Sequence, residues 1–171
     1  FGAKLDSAKV KTISYEVKFN KNFDFVRGGK LPGLCGGKKA TGGVRATGKS
    51  GFSARIMWRK NGRVVSYVYH VNQKDKYGDN FQWKKSTGDK IFFIPGQWHK
   101  IVFTVSMNDP KKQNGEIIGY FDGVVAYQNK GLVFRTTDNF GIDRLCFHTF
   151  FVGDDITWAP KKEEKLFIKN L

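Results

Sequence analysis

Apolar and polar positions alternate with a period of two along most of this 171-residue chain. The pattern is clearest in TISYEVKF (12–19), FDFVR (23–27), GFSARIMWR (51–59), RVVSYVYHV (63–71), KIFFI (90–94) and HKIVFTVSM (99–107). It continues through EIIGYFDGVVAY (116–127), LVFR (132–135), LCFHTFFV (145–152) and KLFIKNL (165–171). Each run is short, rich in Val, Ile, Phe and Tyr, and bounded by Gly, Pro, Asn or Asp, which is how strands and their turns read in sequence. No stretch of a dozen residues carries a helical apolar stripe. The pattern therefore predicts an all-β sandwich or barrel. Internal repeats and linkers are absent, so residues 1–171 are expected to form one domain.

The turns set the register of these strands. Asp122-Gly123, between two strand-like runs, is a strong hairpin signal. The turn inside RKNGR (59–63) is open between two forms. A two-residue Asn61-Gly62 loop places Arg55 opposite Val68 and Ser53 opposite His70. A three-residue loop over 60–62, with Gly62 left-handed in a bulge, places Arg55 opposite Tyr67 and Ser53 opposite Tyr69. A slip of one residue sends the whole polar set to the other face. That set is unusual: Ser53, Arg55 and Arg59 share one parity, and Tyr67 and Tyr69 share another. It is either a solvated face or a site.

GGKLPGLCGG (28–37) breaks the alternation, with five glycines around Lys30 and Leu31-Pro32-Gly33. Its spacing matches no nucleotide-binding glycine motif and no helix follows. From the residues alone it reads as a long surface loop with a solvated lysine.

Charge adds a class of partner. Thirty Lys and Arg stand against 15 Asp and Glu, a formal +15, and such an excess concentrates polyanions at the surface. Nucleic acid, an anionic membrane and an acidic polysaccharide all satisfy it. No apolar run is long enough to span a membrane, and no signal peptide is visible. The chain begins at Phe1 rather than Met, as expected of a fragment or a processed chain. Cys35 and Cys146 stand as either a disulfide or two buried thiols. His70, His99 and His148 are scattered, so neither a metal nor a cofactor is expected. His70 and His99 read as structural, and Trp58 and Trp98 as core.

Three stretches together, FVRGGKLPGLCGG (25–37), FSARIMWR with YVYHV (52–59 and 67–71) and FFVGDDITWAP (150–160), resemble polysaccharide lyase family 14. These are the alginate and glucuronate lyases of marine molluscs and chloroviruses, and the likeness is marked to the catalytic domain of the chlorovirus members. GQWHKIVFTV (96–105) and GYFDGVV (119–125) are similar to strands common to concanavalin-like jelly rolls. The resemblance implies an all-β jelly roll of two antiparallel sheets, with the substrate in a cleft on the concave sheet. It implies metal-independent β-elimination on uronic-acid polymers. The positions matching the family's functional residues are Lys30, Ser53, Arg55, Tyr67 and Tyr69, and this favours the three-residue hairpin loop. Arg59, of the same parity as Ser53 and Arg55, is a candidate for binding a neighbouring uronate. Val152-Gly153-Asp154 follows FF where the family can show glycines, a departure from the family pattern at the expected cleft rim.

The chemistry suits these residue types. Elimination removes the C5 proton, α to a carboxylate, and breaks the C4–O bond. Charge building on the carboxylate must be neutralised by fixed donors, which Arg55 can do through its bidentate fork and Lys30 as a point charge. Cations around a tyrosine favour its phenolate, so Tyr67 or Tyr69, about 7 Å apart on one strand face, can serve as base. Lys30 either neutralises or abstracts. In glucuronate and mannuronate the C5 proton and O4 lie on the same side, so one residue or two adjacent ones can serve as base and acid. Ser53 can orient a tyrosine or bind the sugar.

The expected partner is thus an acidic polysaccharide, glucuronate-containing wall polymer before alginate, with no nucleic-acid or membrane partner and a monomeric state. The expected location is extracellular or virion-associated, at a host cell wall. A non-catalytic carbohydrate-binding jelly roll and a nucleic-acid-binding protein are the alternatives.

Overall fold

A computed structural model of the chain describes residues 2–38 and 40–171. Most of the alternating runs become strands of two antiparallel sheets whose inner faces share a core. The larger sheet holds β1 (Gly2–Ala8), β3 (Gly28–Gly37), β4 (Gly51–Arg59), β5 (Arg63–Tyr69), β6 (Asp79–Gln82), β10 (Ile142–Cys146) and β11 (Phe150–Phe151). Their order is β1-β10-β3-β4-β5-β6, with β11 extending β3 beside β10. The smaller sheet, β12-β2-β7-β8-β9, is built from β2 (Val10–Phe19), β7 (Trp98–Ser106), β8 (Gly115–Phe121), β9 (Val124–Leu132) and β12 (Leu166–Lys169). This is a jelly-roll sandwich, all-β as the alternation requires.

One parity of each strand supplies the core. Ile13, Tyr15, Val17 and Phe19 of β2 meet Phe52, Ala54, Ile56 and Trp58 of β4 in one buried cluster with Ile101, Phe103 and Val105 of β7. Asp122 and Gly123 turn β8 into β9 with both φ angles positive (51° and 85°), the geometry an Asp-Gly pair favours. At the other hairpin the three-residue form holds. Arg55 pairs with Tyr67 and Ser53 with Tyr69, around a turn in which Asn61 and Gly62 take φ of 61° and 81°.

The structure corrects several expectations. Residues 28–37 form a central strand, not a surface loop: β3 pairs with β4 on one side and with β10 and β11 on the other. Its register slips between Lys30 and Gly33, a bulge that accommodates Pro32, which has no N–H to give a ladder. The glycines are there for contact; a Cβ at Gly29 would enter the Trp58 ring. FDFVR is not a strand, because Val26 takes φ of 47° and breaks the extended run, though Phe23 and Phe25 remain in the core. KIFFI makes only single bridges, Lys84 with Lys90 and Arg63 with Phe92. Strands β1 and β6, at the sheet edges, bury too little to show an apolar pattern.

Cys35 and Cys146 form a disulfide across 111 residues of sequence, tying β3 to β10. In the chain-entropy account a closed loop of that length is worth about 4–5 kcal/mol.

Candidate active site

The outer face of the larger sheet gathers the polar set noted in the sequence. On β4 the core takes Phe52, Ala54, Ile56 and Trp58, so Ser53, Arg55, Met57 and Arg59 project the other way. The hairpin register adds Tyr67 and Tyr69 from β5, and the β3 bulge adds Lys30. A cleft of about 470 Å³ lies over this face. Lys30, Arg59, Tyr67 and Tyr69 line it, with Asn80 and Tyr77 on one side and Phe150, Asp154 and Trp158 on the other.

Lys30 is half-buried, its Nζ 5.8 Å from the Tyr67 ring centre and 5.2 Å from that of Phe150. Burial lowers its pKa from the ordinary lysine value to about 8, with repulsion from Arg55 and then Arg59 adding to the effect. Near neutrality a useful fraction of this amine is uncharged and able to accept a proton. Arg59 lies over the Tyr67 ring, Cζ 5.5 Å from its centre, and donates from Nε (2.9 Å) and Nη2 to Asn80 Oδ1. An amide oxygen holds its fork without spending its charge. Among the described residues no carboxylate forms an ion pair with Lys30, Arg55 or Arg59.

The two phenols share a hydrogen bond of 3.3 Å, and Tyr69 also accepts from the Gly43 N–H at 3.1 Å. The sequence suggested that neighbouring cations would lower a tyrosine pKa. For Tyr67 the balance runs the other way: burial, then the hydrogen bond and charge of Tyr69, push it well above the usual phenol value and outweigh Arg59. Tyr67 is a neutral phenol at working pH, suited to giving a proton rather than taking one.

Ser53 and Arg55 are not on the cleft wall. Residues 40–46 cover them, with Ala40 and Ala46 packed against Met57, Val65, Tyr67 and Tyr69. Ser53 donates to the Ala40 carbonyl at 2.6 Å. Arg55, 3% exposed, donates to Thr41 Oγ1 at 2.9 Å and to Cys35 Sγ at 3.7 Å. Burial lowers its pKa to about 10, against the raising pull of Tyr69 and Tyr67, so it stays cationic behind the tyrosines. Ser53 thus anchors the covering segment, and Arg55 lies as a buried charge beneath it rather than on the cleft wall.

Several cleft residues carry no signal in the alternation. Asn80 sits opposite Tyr67 on β6, and Phe150 pairs with Lys30. Val152, Gly153 and Asp154 form part of the cleft wall; Gly153 takes φ of 127° and a Cβ there would enter the Trp158 ring. His148 is half-buried and favours its neutral form, first through burial and then through Arg55 and, more weakly, Lys30. The other histidines are structural. His70 pairs with Asp79 at 2.8 Å. His99 Nε2 accepts from the Ile94 N–H at 2.9 Å, which leaves Nδ1 to donate to Asp122 at 2.8 Å. Trp58 is core as expected, but Trp98 faces out and is 37% exposed, since His99 and Ile101 on the same strand face inward.

The family model for Polysaccharide lyase 14 matches residues 2–171. The chain belongs to polysaccharide lyase family 14. It is a polysaccharide lyase, so the reading as a non-catalytic carbohydrate-binding jelly roll falls away. Among solved structures, the chain is similar to the marine PL-14 alginate lyase from Aplysia kurodai, at 28% identity and a TM-score of 0.78, over 95% of this chain and 68% of that one. It is similar to alginate lyase vAL-1 from Chlorella virus at 27% identity and a TM-score of 0.75, over 94% of this chain and 68% of that one. A mutant of alginate lyase Aly36B in complex with alginate trisaccharide shares the fold, at 23% identity and a TM-score of 0.86, over 99% of this chain and 71% of that one. No curated protein sequence matches the chain.

Proposed function

We propose that this family 14 lyase cleaves uronic-acid polysaccharide by metal-independent β-elimination in the cleft, with Lys30 as base and Tyr67 as acid. The observation that carries the reading is the meeting, on one cleft wall, of a lysine of depressed pKa, a free-charged arginine and a phenol held neutral. The uncharged Lys30 amine takes the C5 proton, the electron pair forms the C4–C5 double bond, and the C4–O bond breaks. Tyr67 gives its proton to the departing O4. A proton then passes from the Lys30 ammonium back to the phenolate, and both groups are reset. Arg59 faces the uronate carboxylate and neutralises the charge that builds there, the part of the reaction where preorganised cations help most. The same cations support metal independence, since they supply the neutralisation that a bound divalent ion would otherwise provide.

The alginate lyases among the similar structures support a polyuronate substrate. Lys30 and Arg59 address the carboxylate, which mannuronate, guluronate and glucuronate share, so the polymer class follows from these residues more directly than the epimer. The test is incubation with alginate, polyglucuronate and a neutral glucan, with chelator present, while following the ultraviolet absorbance of the unsaturated product. Turnover on either polyuronate and none on glucan is expected; cleavage of glucan alone would refute the proposal.

Two substitutions separate the roles. Tyr67→Phe removes the proton donor but keeps the ring, and kcat is expected to fall about 10²-fold or more with KM little changed. Tyr69→Phe keeps the Tyr67 hydroxyl and should cost less. Near-parental kcat in Tyr67→Phe would remove the phenol from the chemistry. Arg55→Met takes away one of the charges that depress Lys30, so the Lys30 pKa rises and the ascending limb of the pH–rate profile moves to higher pH. A profile that stays in place while KM rises would instead make Arg55 a direct carboxylate ligand.

A further inference from the structure

The outer face of the smaller sheet, on the opposite side of the sandwich from the cleft, carries an aromatic and cationic row that the reaction does not use. Trp98 is 37% exposed there and Phe167 is 47% exposed. Register aligns them: Lys18 of β2 pairs with Trp98 of β7 on one side and with Phe167 of β12 on the other. The Lys18 ammonium lies 4.9 Å from the Trp98 ring centre and 5.3 Å from that of Phe167. Lys169 adds a second ammonium 4.4 Å from the Trp98 ring centre. In the neighbouring row Glu16 pairs with Lys169 at 3.4 Å, accepts from Asn170 at 2.6 Å, and stands beside exposed Lys100. The patch therefore keeps a net positive charge. Single exposed aromatics are ordinary on protein surfaces. Two rings in register around a shared ammonium form a flat strip with a defined direction.

We propose that Trp98, Phe167, Lys18 and Lys169 form a second binding site for an acidic polysaccharide strand, which holds polymer on the enzyme while the cleft cuts it. The inference rests on the polyuronate reading of the cleft. A pyranose ring presents C–H bonds to an aromatic face, and its carboxylate offers an ammonium a better partner than a π-cloud. Lysine stems are flexible, so each head group can swing from ring to carboxylate. Trp98 and Phe167 stand two strand spacings apart, about 10 Å, so one strand can meet both through nearby sugar units. Such an exposed site is weak toward short oligosaccharides. It gains strength when the same polymer also occupies the cleft, because the second contact then forms at high effective concentration.

The experiment uses the whole chain in native gels cast with alginate or polyglucuronate, alongside kinetics on a tetrasaccharide and on long polymer. Trp98→Ala and Phe167→Ala leave the net charge untouched, so any loss of retardation belongs to the site rather than to the overall +15. Apparent affinity for polymer is expected to fall about tenfold in Trp98→Ala. Rates on the tetrasaccharide should stay parental, and Trp98→Phe should keep most of the retardation. Lys18→Gln should weaken retardation more than Lys161→Gln, which removes the same charge elsewhere. Parental retardation in Trp98→Ala and Phe167→Ala, in an enzyme that does cleave polyuronate, overturns this site alone. A wild-type chain that neither cleaves nor is slowed by either polymer overturns the substrate reading and this site with it. If sedimentation shows a dimer that Trp98→Ala dissociates, the patch is a contact between copies and the proposal is wrong.

Discussion

Lys30→Met is expected to lower kcat by about 10²–10⁴-fold, the range associated with loss of a positioned acid or base, while raising the thermal stability of the protein. Both effects come from the same burial. Bringing the ammonium out of water disfavours its charged form, and Arg55 and Arg59 add repulsion, which sets the pKa near 8. As base, Lys30 must be uncharged, so kcat/KM rises with pH through the region around 8 and levels off above it. A profile that falls across the same range would show that Lys30 works as a cation. For stability, the folded-state pKa lies below that of the unfolded chain. The penalty on the native state is therefore present in full below about pH 8 and is relieved as pH rises toward the ordinary lysine value. Methionine keeps the stem against Phe150 and Tyr67 and has no charge to bury. The gain in melting temperature should be largest at neutral and acidic pH and should shrink in strong alkali. An equal or lower melting temperature at pH 7 would show that the lysine charge is better satisfied than its surroundings indicate.

Trp58→Ala is expected to cost about 3–5 kcal/mol of folding stability, a large share of the 5–15 kcal/mol typical of domains. Trp58 is fully buried, with the rings of Phe19, Phe23 and Phe151 at 5.4, 5.8 and 5.5 Å. Its indole N–H donates to the Phe25 carbonyl at 3.2 Å. Truncation leaves a cavity among the rings and an unpaired carbonyl inside it. The site should suffer as well, because Gly29 lies on the indole and Lys30 follows it on β3. Chemical denaturation should show a lower midpoint with the slope retained, and Trp58→Phe should recover part of the loss. A midpoint shift of under about 1 kcal/mol would mean that the neighbouring phenylalanines collapse into the space.

The sequence alone determined the fold class, and it placed the polar face on the central hairpin. Alternation in β2, β4, β5 and β7 shows which parity meets the core, because a strand can bury only one face against the opposing sheet. The Asp122-Gly123 turn is similarly local, since its positive φ angles depend on the two residues themselves. Within the hairpin, the residues left two registers open. The motif likeness favoured the one the structure has, in which Tyr67 and Tyr69 stand opposite Arg55 and Ser53.

Other features depend on partners far away in the chain. GGKLPGLCGG looks like a loop because glycine and proline usually mark one, yet Gly29 makes room for Trp58, a strand away. Trp98 looks like core by composition, and only the inward commitment of His99 and Ile101 turns it out. Arg55 has the parity of a cleft residue, but residues 40–46 fold over it, and no period in β4 records a cover supplied by another segment. The opposite pKa shifts of Lys30 and Tyr67 were equally illegible. Which group holds its proton at working pH is set by how deeply each is buried and which charges face it, and tertiary structure decides both.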